Sequence, residues 1–150
     1  MAVTFIDYQN NKGFYIHENY IQLAFMYIYP EMQKPQYNFT NKPDLLYDCE
    51  SIINGIRSGY LVLSWDDYLV GNTDEQLMIQ LLQNVVSHLQ TKGAYISLSE
   101  LQGMTTEDDH WLRVMDKKFP TAELIKIFIA LIQMLQGTWT STNYDMKINW

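Results

Sequence analysis

Between Thr73 and Lys92 the apolar residues Met78, Leu81, Leu82, Val85, Val86 and Leu89 recur at three- and four-residue spacing, with polar residues between them. That period predicts an amphipathic helix over 74–92. Thr73 with Gln76 reads as a capping box, Asp74 and Glu75 fall in the positive first turn, and Lys92 with Gly93 closes the end. A second segment, about 121–136, is apolar on nearly all sides and ends at Gly137. It predicts a helix at the centre of the domain, packed against Leu81, Leu82, Val85 and Leu89.

Weaker patterns fill the rest. "VTFIDYQNNKGFYI" has two apolar runs around an Asn-Asn-Lys-Gly break, which fits a hairpin or the frayed start of a helix. Ile16, Tyr20, Leu23, Ala24, Tyr27 and Ile28 predict a helix that ends or kinks at Tyr29, because Pro30 disfavours helical geometry in the residue before it. A proline-punctuated loop follows, and then a helix from Asp44 through Leu45, Cys49, Ile52, Ile53 and Ile56 to a stop at Gly59. "YLVLSW" reads as a short strand or an extended buried segment, and "WDDYLVGN" as a helical turn or a loop. Ser97 with Glu100 caps a short helix through Leu101. Thr106 is expected to cap another, with Glu107, Asp108 and Asp109 in its first turn and Lys117 and Lys118 in its last. The terminal "TWTSTNYDMKINW" reads as a strand or an extended tail packing Trp139 and Trp150. Together these predict an α-rich α+β fold, one compact domain over 1–150 with about five helices and two to four short strands.

Composition narrows the function classes. The 150 residues suit one domain, and 47% hydrophobic with 14% aromatic residues is too apolar for a disordered chain. Cys49 stands alone among apolar neighbours and reads as a buried structural thiol in a reducing, cytoplasmic compartment. The N-terminus does not read as a signal peptide, and the apolar run 124–135 is too short for a membrane span, which needs about 20 residues. A net charge of −7 and ten scattered Lys and Arg residues argue against nucleic-acid and anionic-membrane partners.

Candidate chemistry is sparse. His17, His88 and His110 lack the spacing of a zinc site. Counted from Asp66, Gly71 and Asp74 occupy two positions of a calcium loop, but Tyr68, Val70 and Leu77 stand where ligands are needed, so no metal or other cofactor is expected. No nucleophile elbow, phosphate loop or dinucleotide fingerprint occurs. What stands out is charge of one sign. Residues 44–75 hold seven acids (Asp44, Asp48, Glu50, Asp66, Asp67, Asp74, Glu75) against Arg57 alone. Helix capping accounts for Asp74 and Glu75, and for Glu107, Asp108 and Asp109 in the later helix, but not for Asp66 and Asp67. One reading is a solvated acidic surface that aids solubility. The other is a docking face in which these carboxylates, Asp66, Asp67, Asp74 and Glu75 foremost, together with Glu107, Asp108 and Asp109, steer a basic partner and Trp65, Tyr68 and Trp111 are apolar anchors.

The segment "GYLVLSWDDYL" (59–69), followed by "TDEQLMIQLLQNVVSHL" (73–89), in a small acidic chain rich in Tyr and Trp, is similar in general character to bacterial toxin-immunity proteins, including those of contact-dependent growth inhibition systems. The resemblance implies a non-catalytic cytoplasmic protein that binds and neutralises a cognate toxin with a basic surface, often a nuclease. It carries over no individual functional residue. Two alternatives stand beside it: an adaptor or self-associating domain that forms a homodimer, and an enzyme of unrecognised type, which a pocket holding His88 or His110 beside a carboxylate would favour.

Overall fold

In the computed structural model, which describes residues 2–55 and 61–150, the N-terminal pattern resolves as a hairpin. Strands β1 (Val3–Asp7) and β2 (Gly13–His17) pair antiparallel with Ile6 opposite Phe14. The alternation turns Thr4, Ile6, Phe14 and Ile16 inward, and Val3 and Tyr15 outward. The connection passes through Gln9, Asn10 and Asn11, all left-handed at φ 50, 60 and 59. Asn accepts that region at lower cost than most residues. Gly13 follows because the backbones nearly touch: a Cβ there would sit 1.9 Å from the Ile6 carbonyl oxygen.

The chain then enters α1 (Glu18–Met32). Ile16 belongs to β2 rather than to this helix, and Pro30 does not stop it. Pro30 lies in the last turn and costs the helix one backbone donor, and continuing the helix past it buries Met32 completely. Helix α2 (Lys42–Ile53) has Pro43 in its first turn, and Gly55 follows its end at φ 69. The expected stop at Gly59 and the last apolar position, Ile56, lie outside the described residues. Leu61 to Ser64 forms no strand, although Leu61 and Leu63 are buried. It runs in the same direction as β1. Thr4 Oγ1 donates to the Leu61 carbonyl and Gln9 N to Asp66 Oδ1, both at an offset of 57 residues.

Helix α3 (Trp65–Tyr68) and helix α4 (Gly71–Gln90) come next. The first turn of α4 starts two residues before the expected capping Thr73. Its closing group is Asp74, whose carboxylate accepts from Val70 N at 2.9 Å and Thr40 N at 3.3 Å. Strand β3 (Tyr95–Ile96) precedes α5 (Leu98–Gln102), where Ser97 accepts from Glu100 N as the cap requires. The helix expected from Thr106 to Lys118 is reduced to α6 (Trp111–Val114). Side chains there compete with the helix for backbone groups. Thr106 Oγ1 donates to Ile53 O and accepts from Asp108 N, and Asp108 accepts from His110 N. Phe119 must in turn be extended before Pro120, forming β4 (Phe119–Pro120) against β3.

Helix α7 (Thr121–Gln136) ends on left-handed Gly137, as the sequence predicts, and packs along α4. The tail forms β5 (Tyr144–Asp145), which extends the hairpin sheet in the order β1-β2-β5 by pairing parallel with β2. Trp139 Nε1 donates to Gly13 O and Trp150 Nε1 to Lys118 O, so both tryptophans staple the tail down. The architecture is a compact α+β domain, with seven helices and two small sheets among the described residues. Its most enclosed helix is α1, in contact with α2, α4, α7 and β2. Helix α7 leaves Ile129 about half exposed, so it is one wall of the core rather than its centre.

Candidate functional site

Helix α3 is a single turn too short to stand alone, and polar bonds hold it in place. Asn41 Nδ2, at the start of α2, donates to Tyr68 O at 3.1 Å, and Ser64 Oγ donates to Asp48 Oδ1 at 3.0 Å. Asn41, Asp44 and Asp48 share one stripe of α2 by helical spacing, so Asp44 lies on the edge that faces α3. Trp65 inserts into the core beneath, only 1% exposed. This leaves Asp66 and Asp67 at the surface, with Asp66 capping Gln9 N at the hairpin tip. Glu75, on the first turns of α4, accepts from Tyr8 OH at 2.8 Å. The hairpin tip, α2, α3 and the start of α4 thereby bring Asp7, Asp44, Asp66, Asp67 and Glu75 to one side of the molecule. Lys12 and Lys42 are the Lys or Arg residues these elements carry.

The carboxylates divide by what they do. Asp48 and Asp74 are buried structural groups, and Glu50 is engaged by Tyr29 OH. That phenol is pushed up to about 12, first by its bond to Glu50 and then by burial. Tyr27 with Glu100 ties α1 to α5 in the same way, and Tyr37 with Glu31 ties the loop after α1 back to that helix. Among the described residues no hydrogen bond or ion pair engages the side chains of Asp44 or Asp67. Asp7 is held above the ordinary carboxylate value, first by burial and second by the charge of Asp66. That repulsion marks the two acids as neighbours.

Of the expected binding residues, the structure gathers Asp66, Asp67 and Glu75, with Tyr68 half-buried at their edge. It removes others from any docking role. Asp74 is 2% exposed and Trp65 and Trp111 are each 1% exposed, so the indoles are core residues and not surface anchors. Trp111 Nε1 donates to Leu101 O at 2.8 Å, the bond a buried indole needs. Glu107, Asp108 and Asp109 sit in the segment before α6 and do not cap a long helix. Glu107 and Asp109 are exposed, whereas Asp108 is half-buried.

Asp108 belongs to a feature the sequence did not announce. A pocket of about 650 Å³ lies between α1, the end of α2 and the segment leading into α6, lined among others by Glu18, Gln22, Asp108, His110 and Arg113. Gln22 organises it. Its Nε2 donates to Ile53 O at 2.8 Å and to Asp108 Oδ2 at 2.9 Å, and its Oε1 accepts from Asn19. Glu18, nearly buried, accepts from Leu61 N. Arg113 donates to His110 Nδ1. The available signal was Gln22 itself, a polar residue inside the buried run "YIQLAF".

Among the described residues, no group of three or more His, Cys, Asp or Glu side chains could hold a metal ion. No helix of the described residues is long and apolar enough to cross a membrane. The Cys49 thiol is fully enclosed, and burial pushes its ionisation up, the opposite of an activated nucleophile. Compared with family models, curated proteins and solved structures, the chain gives no match.

Proposed function

We propose that this chain is a non-catalytic cytoplasmic immunity or inhibitor protein that binds a cognate toxin with a basic surface, a nuclease in the reading its resemblance suggests. The docking face is the acidic side around α3. The observation that supports this reading is that Asp44 and Asp67 are exposed acids with no hydrogen bond or ion pair among the described residues, in a region where acids outnumber Lys12 and Lys42 and where the charge of Asp66 helps raise Asp7. An acid that neither caps a helix nor anchors a tyrosine is available to steer a cationic partner. Trp65 and Trp111 no longer serve as anchors. Tyr47, 65% exposed on α2, and Val62 and Val70, which flank α3 in sequence, take that part.

The test is capture from lysate of the native cell with immobilised protein and with its Asp44→Lys/Asp67→Lys variant. Reversing these two residues breaks no hydrogen bond or ion pair among the described residues, unlike reversal of Asp66, which would untether Gln9. A basic protein retained by the native chain at low salt and lost by the variant supports the proposal. Equal retention of the same proteins by both would sink it.

A second reading, an enzyme, is favoured by one observation: His110 lines a pocket with Asp108 and Glu18. Against it, Asp108 meets the backbone N of His110 rather than its ring, and the ring receives Arg113. A general base held by a carboxylate is therefore not what this arrangement supplies.

A further inference from the structure

The hairpin sheet turns one face to the core and the other to solvent. Alternation along β1 and β2 brings Val3, Phe5 and Asp7 outward beside His17 and Tyr15, with Phe5 opposite Tyr15. The two rings lie 4.7 Å apart between centroids, and Tyr15 stays 42% exposed. Val3 is 52% exposed, and Val62, 50% exposed between buried Leu61 and Leu63, carries the apolar surface past the edge of β1. Charge decides what this face can receive. Asp145, the register partner of Tyr15 in β5, is already paired with Lys147 at 2.7 Å. Asp7 has Gly13 opposite it and no ion pair among the described residues. Burial, and after it the charge of Asp66, hold Asp7 above its ordinary value. A second copy of this chain, at net −7, would bring more carboxylates to that end of the sheet. A cation relieves it.

We infer that this sheet face receives an arginine side chain of a basic protein partner. The guanidinium lies flat on the Phe5–Tyr15 pair with its donors toward Asp7, while apolar groups of the partner cover Val3 and Val62. Arginine is specified over lysine because a planar guanidinium stacks on aromatic rings and still offers forked donors to a carboxylate. Asp7 and Asp66 join this face to the acidic side around α3. The inference therefore rests on the reading of a basic partner, and it names the side chain that partner inserts. It also supplies the exposed aromatic anchor that Trp65 and Trp111, enclosed in the core, do not.

Two probes test it by NMR titration of the isotope-labelled full chain: acetyl-Arg-Gly-Arg-amide and its lysine counterpart. Amide shifts at Phe5, Asp7 and Tyr15 are expected to saturate at millimolar arginine peptide, with the lysine peptide about threefold weaker or worse. Tyr15→Thr keeps a β-branched residue in the strand and should weaken the arginine peptide to the level of the lysine one. Asp7→Asn should weaken both peptides and preserve the preference between them, a readout that stands if Tyr15→Thr fails to fold. The inference is overturned if shifts at Phe5, Asp7 and Tyr15 do not saturate, or if both peptides bind alike. It is equally overturned if folded Tyr15→Thr keeps the native affinity for the arginine peptide. Saturable shifts confined to Asp44 and Asp67 also overturn it, yet leave the basic-partner reading in place. That reading falls by its own test, equal capture by the native chain and Asp44→Lys/Asp67→Lys, so the two failures are told apart.

Discussion

Trp65 and Trp111 head the largest fully enclosed side chains of the described residues, and their burial redistributes the roles of the residues around them. Truncating Trp65 to Ala should cost about 3–5 kcal/mol of stability, the range for a large aromatic removed from a core. Urea denaturation checks this, and a loss under about 1 kcal/mol would return Trp65 to the surface. Phe128, fully buried in α7, should show the same cost on substitution by Ala. Asp7 makes the opposite prediction. Burial, and after it the charge of Asp66, raises its folded value, so the folded chain holds this proton to higher pH than the unfolded chain. Stability then falls as pH rises from the ordinary carboxylate value through the raised one, and ionised Asp7 is a net cost at neutral pH. Asp7→Asn should gain about 0.5 kcal/mol at pH 7, an allowance reduced for solvent screening, with the gain fading toward pH 3. A gain that did not fade would mean the charge is not its cause. Which aromatics are buried was not readable from the sequence, because a Trp at the end of an apolar run looks alike whether it faces core or solvent.

Elements with long, regular periods were legible in advance. Helices α4 and α7, their mutual packing, and the caps at Ser97 and Gly137 all follow from spacing and end residues. The segment from Thr106 to Lys118 was misread because an acidic start and a basic end describe a helix dipole equally well when no helix forms. Long-range partners decided it, Thr106 reaching Ile53 and Asp108 reaching Gln22, contacts that no local pattern encodes. The same kind of contact joins α1 to α5. Burial alone would raise the Glu100 carboxyl, but the Tyr27 hydroxyl and Lys92 ammonium outweigh it and hold the group below its ordinary value. Lys92 Nζ lies 3.0 Å from the Glu100 carboxylate. A lowered carboxylate stabilises the fold above its unfolded value and loses that contribution as pH falls through the folded one. Tyr27→Phe should therefore cost about 1.5 kcal/mol at pH 7 and less at pH 3, read from urea midpoints at the two values. An equal cost at both would show that the hydroxyl matters by packing alone.

Across the whole molecule, the sequence signalled the acidic surplus between Asp44 and Glu75 but not its division of labour. Asp48 and Asp74 turn out to be structural, Glu50 and Glu75 are held by tyrosines, and Asp44 and Asp67 remain at the surface. Spacing could not make that division, since it depends on which hydroxyls and backbone groups the fold carries to each carboxylate. The pocket around Gln22 was hidden for the same reason, three separated segments meeting there. If the acids around α3 dock a basic partner, their effect should appear in the rate of encounter, because exposed charges act over about 8 Å at physiological ionic strength and are screened beyond it. The decisive measurement is the association rate of the captured partner, by surface plasmon resonance at low and at physiological salt, for the native chain and Asp44→Lys/Asp67→Lys. Circular dichroism of the variant first establishes that it is folded. The account predicts an association rate about tenfold lower for the variant at low salt, with a flatter salt dependence and a smaller change in dissociation. An association rate and salt dependence identical to those of the native chain would contradict it, leaving this side of the protein a solvated surface.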